Sequence, residues 1–309
     1  MYFCNYTLIP TTIIPTTMFL RNLLLLFFLV ANTALAQIPK PLDTYPTVES
    51  GKPAAGKMVR ATLPEYQHTD VHHLIYLPKN YQAGKTYPLL VELTGNKWIY
   101  GNGEVEEAHL AYSATLGMDF ILVILPYISK DNTRNEVKWW GDEKATVDYA
   151  KKLIPCVIEQ YNGNKNCVIL CGFSRGAIGT SFIGLYDNEI ASLWTAFYTH
   201  DHFDGLQEWK GSKWGSPLSK FRSEARTRLL RAAGKPWFLS SGFGTEKYEI
   251  YLKELGIDKH INFTFNNVSI NTYFKTIPNA YFKHPHTDCW SLFDIPPSKI
   301  LRQWLQKRR

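Results

Sequence analysis

Apolar residues along this chain fall into short runs rich in β-branched side chains, separated by longer stretches whose apolar positions recur at helical spacing. Runs at 72–77, 87–93 and 120–126 predict strands, and the Pro, Asn and Gly of 78–85 predict a hairpin or loop between the first two. Over 142–161, Ala145, Val147, Ala150, Leu153, Ile154 and Val157 share one helical face, with Asp142 and Glu143 at the end where acids suit a helix. Asn162-Gly163-Asn164 stops that helix and delivers a further strand at 167–171. Beyond it come apolar runs at 193–198 and 236–240, with a polar, basic helix over 218–233 between them. Residues 263–274 suggest a β excursion or lid, 279–283 a final strand and 297–306 a closing helix. Strands alternating with helices predict an α/β fold, a mostly parallel central sheet with helices on both faces, as a single domain over 70–309. Residues 37–69, opening on a Pro-, Thr- and Gly-rich stretch, are expected to be an extended lead-in.

The strand at 167–171 breaks into Gly172-Phe173-Ser174-Arg175-Gly176, followed by small residues suited to a tightly packed helix start. That is strand, sharp turn, helix. A serine on such a turn needs small residues two before and two after it, because the strand and helix backbones approach closely there. The new helix aims its free N–H groups and partial positive charge at the space above Ser174, where an oxyanion forms during acyl transfer. Ser174 is therefore the candidate nucleophile, and the backbone N–H of Arg175 one candidate oxyanion donor. The Arg175 side chain is expected to reach a buried carboxylate or an acidic group of the substrate, since a large charged group beside the nucleophile needs a partner. The second oxyanion donor is expected from Thr94 or Gly95, where the 87–93 run ends in a turn.

A serine hydroxyl is a poor nucleophile until a base takes its proton, and the base needs an acid to fix its tautomer. In hydrolases with this elbow the chain order is Ser, acid, His. His286, in the loop after the last predicted strand, is the candidate base, with His284 the alternative. Glu246, beyond the 236–240 run and a Gly-rich turn, is the candidate acid. Asp201 and Asp204 in Thr199-His200-Asp201-His202-Phe203-Asp204 compete with it. Trp98, Trp139 and Trp140, together with Tyr100, Trp209 and Trp214, fall in predicted loops, where aromatic rings can stack on sugars or grip acyl groups. The first three are the candidate substrate-binding residues.

Composition narrows the class. Among 309 residues 45% are hydrophobic and 20% charged, a globular balance. Arg21 precedes an apolar run, and Ala34-Leu35-Ala36 supplies small residues before Gln37, so residues 1–36 read as a secretory signal segment removed on export. The run is shorter than the ~20 residues that span a bilayer, so no stable membrane anchor is expected and the mature chain is placed in the periplasm or outside the cell. Arg21 is the only formally charged residue of that segment, and its loss takes the net charge from +7 to +6. Without a DNA- or RNA-binding motif beside it, this excess does not point to nucleic acid. Cys156, Cys167, Cys171 and Cys289 remain, as disulfides or as buried free thiols. No C-x-x-C or H-x-x-x-H spacing suggests zinc, and neither a metal nor another cofactor is expected. The sequence leaves the oligomeric state open.

The set Trp139-Trp140-Gly141-Asp142, Gly172 to Ala177 and His286-Thr287-Asp288-Cys289-Trp290 resembles secreted bacterial serine esterase-like hydrolases of the α/β-hydrolase superfamily, from about Asp70 to the carboxyl end. The resemblance implies that fold and ester hydrolysis. It departs in one place, where Leu93-Thr94-Gly95-Asn96 replaces the His-Gly-Gly turn common in lipases and esterases. The resulting expectation is a secreted serine hydrolase that cleaves carboxylic esters through an acyl-enzyme, on small-molecule or polysaccharide esters. A peptidase or amidase with the same triad, or a non-catalytic carbohydrate-binding protein on this scaffold, are the alternatives.

Overall fold

The computed structural model describes residues 39–208 and 218–309. The expected signal segment, Trp209 and Trp214 lie outside the described residues. The described strands are β1 (Val48–Glu49), β2 (Met58–Ala61), β3 (His73–Tyr76), β4 (Tyr87–Leu93), β5 (Ile121–Leu125), β6 (Gly163–Phe173), β7 (Ala196–His200), β8 (Pro236–Ser241) and β9 (Asn262–Asn267). They form one sheet in the order β1-β2-β3-β5-β4-β6-β7-β8-β9. From β5 to β9 every pairing is parallel, while β2 with β3 and β3 with β5 run antiparallel.

Parallel neighbours need a crossover, and from β4 to β9 each connection carries a helix. The helices are α1 (Leu110–Thr115), α2 (Glu143–Tyr161), α3 (Arg175–Phe182), α4 (Asn188–Leu193), α5 (Leu218–Ser223), α6 (Ala225–Leu229), α7 (Glu246–Glu254), α8 (Ile270–Tyr273) and α9 (Pro296–Gln306). Asp142 caps α2 by accepting from Ala145 N at 2.9 Å, and Asn162 ends it in the left-handed region at φ 58°.

Alternation along the strands feeds both faces. Leu89, Val91 and Leu93 of β4 join Leu153, Ile154, Ile190, Leu229 and Leu252 from α2, α4, α6 and α7. Leu90, one residue out of step, joins Leu110, Leu301 and Trp304 from α1 and α9. A Leu or Ile buried this fully contributes about 1.5–3 kcal/mol, so the middle of the sheet excludes polar chemistry and the reactive groups gather at strand ends.

Four local expectations change. Residues 39–69 are not only a lead-in, since β1 and β2 extend the sheet edge through β3. The 78–85 segment is a crossover loop and not a hairpin, because β5 lies between β3 and β4. The run starting at 263 is a sheet strand paired with β8, followed by the short α8, and not a lid. Residues 279–283 form turns with no strand, leaving β9 as the last one in sequence. All four cysteines at or beyond 156 are free thiols, three of them buried.

Candidate active site

The elbow forms at the carboxyl end of β6. Ser174 sits at φ 54° and ψ −116°, a conformation that costs an L residue energy and is held by its surroundings. Its N–H donates to His200 O at 3.1 Å, tying the turn to the end of β7. A Cβ on Gly176 would overlap the Leu93 carbonyl, and one on Gly172 the Gly176 carbonyl, so only glycine fits either place. The first turn of α3 then presents N–H groups that have no partner inside the helix.

Ser174 Oγ lies 2.9 Å from His286 Nε2, and His286 Nδ1 lies 2.8 Å from Asp201 Oδ2. The carboxylate that meets the imidazole is thus Asp201, one of the two competing aspartates, and not Glu246. The reason is sheet geometry. β7 pairs directly with β6, so the residue just past its end faces the elbow, whereas Glu246 is an exposed first residue of α7, beyond a turn from the next strand out. Asp204 is turned inward and paired elsewhere. His284, the alternative base, supports the loop instead: its Nδ1 accepts the His286 N–H at 3.0 Å, and its ring stacks on Tyr100 at 5.5 Å.

Asp201 is fully buried at φ 70°. Burial works to raise its carboxyl, but the charges of His200 and His286, the His286 hydrogen bond and the Gly242 N–H at 2.7 Å outweigh it and hold Asp201 below the usual carboxylate range. Ser241 Oγ donates at 3.3 Å to Asp201 Oδ1, the oxygen that also accepts from Gly242, and Tyr248 Oη donates to the Asp201 carbonyl at 2.8 Å. His200 is a supporting residue to which the sequence alone assigns no role. Its Nε2 is 3.5 Å from Asp201 Oδ2, its Nδ1 shares a 2.8 Å hydrogen bond with Ser240 Oγ, and burial lowers its basicity. Its position beside Asp201 in the chain was the available signal. His202, whose ring lies 5.0 Å from that of His286, is pushed down to about 3, chiefly by burial.

The Thr94-Gly95 turn lies beside Ser174: a Cβ on Gly95 would stand 3.7 Å from Ser174 Cβ. The Thr94 side chain is buried and donates to Glu104 O at 3.4 Å, which leaves only main-chain groups to face a reacting carbonyl. Arg175 corrects an expectation. Among the described residues its side chain meets no carboxylate. The guanidinium is buried over the Tyr127 ring at 4.0 Å and donates to the carbonyls of Trp139 at 3.0 Å, Glu136 at 3.2 Å, Gly103 at 3.3 Å and Thr94 at 3.5 Å. Burial lowers its pKa to about 10, still protonated at neutral pH. The residue after the nucleophile thus staples the two loops that carry Trp98 and Trp139.

Those two rings line a cleft of about 490 Å³ with Asn96, Ile178, Phe243 and the Ser174–His286 pair. Trp98 meets the rings of both His284 and His286 edge-on. Trp140 does not belong with them. It is 1% exposed and packs on Tyr127 and Phe182, in a turn where its two neighbours, Trp139 at φ 54° and Gly141 at φ 60°, are both left-handed.

Residues 65–204 match a family described as "Putative esterase". No curated protein matches the chain. Among solved structures, an arylesterase is 14% identical with a TM-score of 0.51, covering 94% of this chain and 98% of its own. The AtxE2 isopeptidase with Astexin3-dC4 bound is 15% identical at a TM-score of 0.51 over 82% of this chain, and a thermostable esterase is 15% identical at 0.47 over 81%. This chain spans 40% and 62% of the lengths of the last two. At such identities the likeness establishes the fold, an α/β-hydrolase fold.

Proposed function

We propose that this chain, which has the α/β-hydrolase fold and matches a putative esterase family over residues 65–204, is a serine carboxylic-ester hydrolase acting through Ser174, His286 and Asp201. The observation that supports it most is the unbroken line from Ser174 Oγ through both nitrogens of His286 to a buried, ionised carboxylate. In this reading His286 Nε2 takes the Ser174 proton as Oγ attacks the acyl carbon, and the carbonyl electron pair moves to oxygen, facing the N–H groups of Arg175 and the Thr94-Gly95 turn. Collapse expels the alcohol, which leaves with the proton from His286. Water then attacks the acyl-enzyme with His286 again as base, and the acid and free Ser174 are released. Asp201 holds the imidazole with Nδ1–H toward itself throughout.

The substrate class we favour is an ester carried on a polysaccharide or a small molecule, processed outside the cytoplasm. The cleft has aromatic walls in Trp98, Trp139 and Phe243, suited to an acyl group or sugar ring, and the apolar run behind Arg21 has the pattern of an export signal. Labelling with a fluorophosphonate probe tests the nucleophile: wild-type chain should label stoichiometrically and Ser174→Ala not at all, with turnover of aryl esters falling by about 10⁴ to 10⁶. Retention of a tenth of the wild-type rate by Ser174→Ala would sink the acyl-enzyme. A matched panel of aryl esters and aryl amides separates an esterase from an amidase.

A further inference from the structure

We propose that His109, Asp288 and Cys289 form a binding site for a zinc-class divalent cation, which ties the loop carrying His286 to the start of α1. Three different donor atoms converge there. Cys289 Sγ is 3.8 Å from His109 Nδ1 and 3.5 Å from Asp288 Oδ1, and those two are 3.9 Å from each other. All lie within 4.8 Å of one another. The circumcentre of that triangle is about 2.2 Å from each corner, inside the range of zinc bonds to sulfur, imidazole nitrogen and carboxylate oxygen. A cation displaced slightly from the plane would be three-coordinate to protein, with a fourth position toward an adjoining cavity of about 280 Å³, which has room for a water.

The surroundings hold the donors in place. Asp288 turns its other oxygen, Oδ2, to accept the His109 N–H at 2.9 Å. The Tyr45 ring packs on the His109 imidazole at 4.0 Å, and the Cys289 N–H donates to Thr287 Oγ1 at 3.1 Å. Such supporting contacts fix ring and carboxylate orientation in metal sites. Binding would release one proton from the Cys289 thiol, and thiolate, carboxylate, neutral imidazole and a dication sum to zero charge, the balance that a largely buried position tolerates best. The donors come from segments 180 residues apart, which is why no zinc spacing exists in the sequence to find. Without a cation, Cys289 can donate weakly to Tyr281 O at 3.4 Å, so the alternative is a purely hydrogen-bonded cluster.

The test uses the chain stripped of metal by chelator dialysis and titrated with Zn²⁺ by calorimetry, and with Co²⁺ by absorption. The wild type should take up one equivalent on the order of micromolar affinity or tighter, show a thiolate-to-cobalt charge-transfer band, and melt higher with Zn²⁺ than without. Cys289→Ser should lose the band, and His109→Gln should bind about tenfold or more weakly. At a fixed Zn²⁺ concentration the melting temperature of Cys289→Ser should not respond, and that of His109→Gln should rise less than that of the wild type. Circular dichroism checks that both fold; if Cys289→Ser does not, Cys289→Ala and the wild-type cobalt spectrum decide. Absence of saturable binding below millimolar concentration, a cobalt complex with no thiolate band, or undiminished affinity in both variants would overturn the site.

Discussion

Asp201 and Asp204 stand three residues apart in one loop after β7, both buried, both at positive φ, and they do different work because of what each faces. Asp201 faces an imidazole that can gain and lose a proton within reach of Ser174. Asp204 faces a permanent cation: Arg228 Nη2 donates to its Oδ1 at 2.7 Å, Ser181 Oγ to the same oxygen at 2.8 Å and Tyr251 Oη to its Oδ2 at 2.8 Å. Arg228 also lies over the Phe221 ring at 4.0 Å, fastening α6 to α5 and to the end of α3. Burial and pairing alone therefore do not mark a reactive carboxylate. A partner able to titrate, itself touching a nucleophile, does.

Amide substitution separates the two. Asp201→Asn keeps size and most hydrogen bonds but loses control of the His286 tautomer, so kcat should fall by up to ~10⁴ while the melting temperature stays close to wild type. An Asp201→Asn enzyme with near-normal kcat would remove it from the proposed triad. Asp204→Asn should do the reverse. Leaving Arg228 buried without its countercharge costs about 3–5 kcal/mol of stability, read by urea unfolding, while kcat of the folded fraction stays within about threefold. Loss of activity without loss of stability in Asp204→Asn would break the comparison.

Glu92 sharpens it as a third case, a buried carboxylate that pairs with no cation among the described residues. It points from β4 at the start of α1, accepting from Ala111 N at 2.8 Å and Leu110 N at 3.2 Å. Burial, aided by repulsion from Asp288, outweighs those two N–H groups and pushes its pKa up to about 8. The unfolded chain gives up this proton near the ordinary carboxyl value and the folded chain only near 8. The unfolded state therefore binds fewer protons over that interval, and stability falls as pH rises from about 4.5 to 8. The loss attributable to this one group is on the order of 5 kcal/mol at most. Glu92→Gln, which imitates the protonated form, should flatten the fall in melting temperature between pH 5 and pH 8. An unchanged slope would mean that Glu92 is ionised in the fold.

What could be read from the sequence follows the distance over which each feature is determined. Ser174, its flanking glycines and the helix after them are fixed within five residues, by steric rules that hold wherever they occur. His286 was legible from chain order and loop position. The carboxylate that meets its imidazole was not, because Asp201 and Glu246 both follow strands at the carboxyl edge, and only the pairing of β7 next to β6 brings one of them to the ring. Arg175 was misjudged for a related reason: a guanidinium can be satisfied by four carbonyls from loops tens of residues away, which no local pattern announces. Trp140 shows the limit of reading a loop aromatic as a binding residue, since the turn that holds both leaves Trp139 in the cleft and Trp140 in the core.

The smallest expected effect belongs to Glu246, and it tests the rule from the opposite side. It is an exposed carboxylate at the first position of α7, where its charge complements the helix dipole. That placement contributes about 0.3–1 kcal/mol at low salt and less when screened. Glu246→Gln should therefore leave kcat within about twofold of wild type and shift stability by no more than about 0.5 kcal/mol at ordinary salt. Measured beside Asp201→Asn on one ester and at one pH, it places the two amide substitutions about four decades apart in kcat. Should Glu246→Gln be the variant that collapses, α7 would have to move during turnover so that its amino end replaces Asp201 against His286, and the buried network around Asp201 would hold a resting arrangement only.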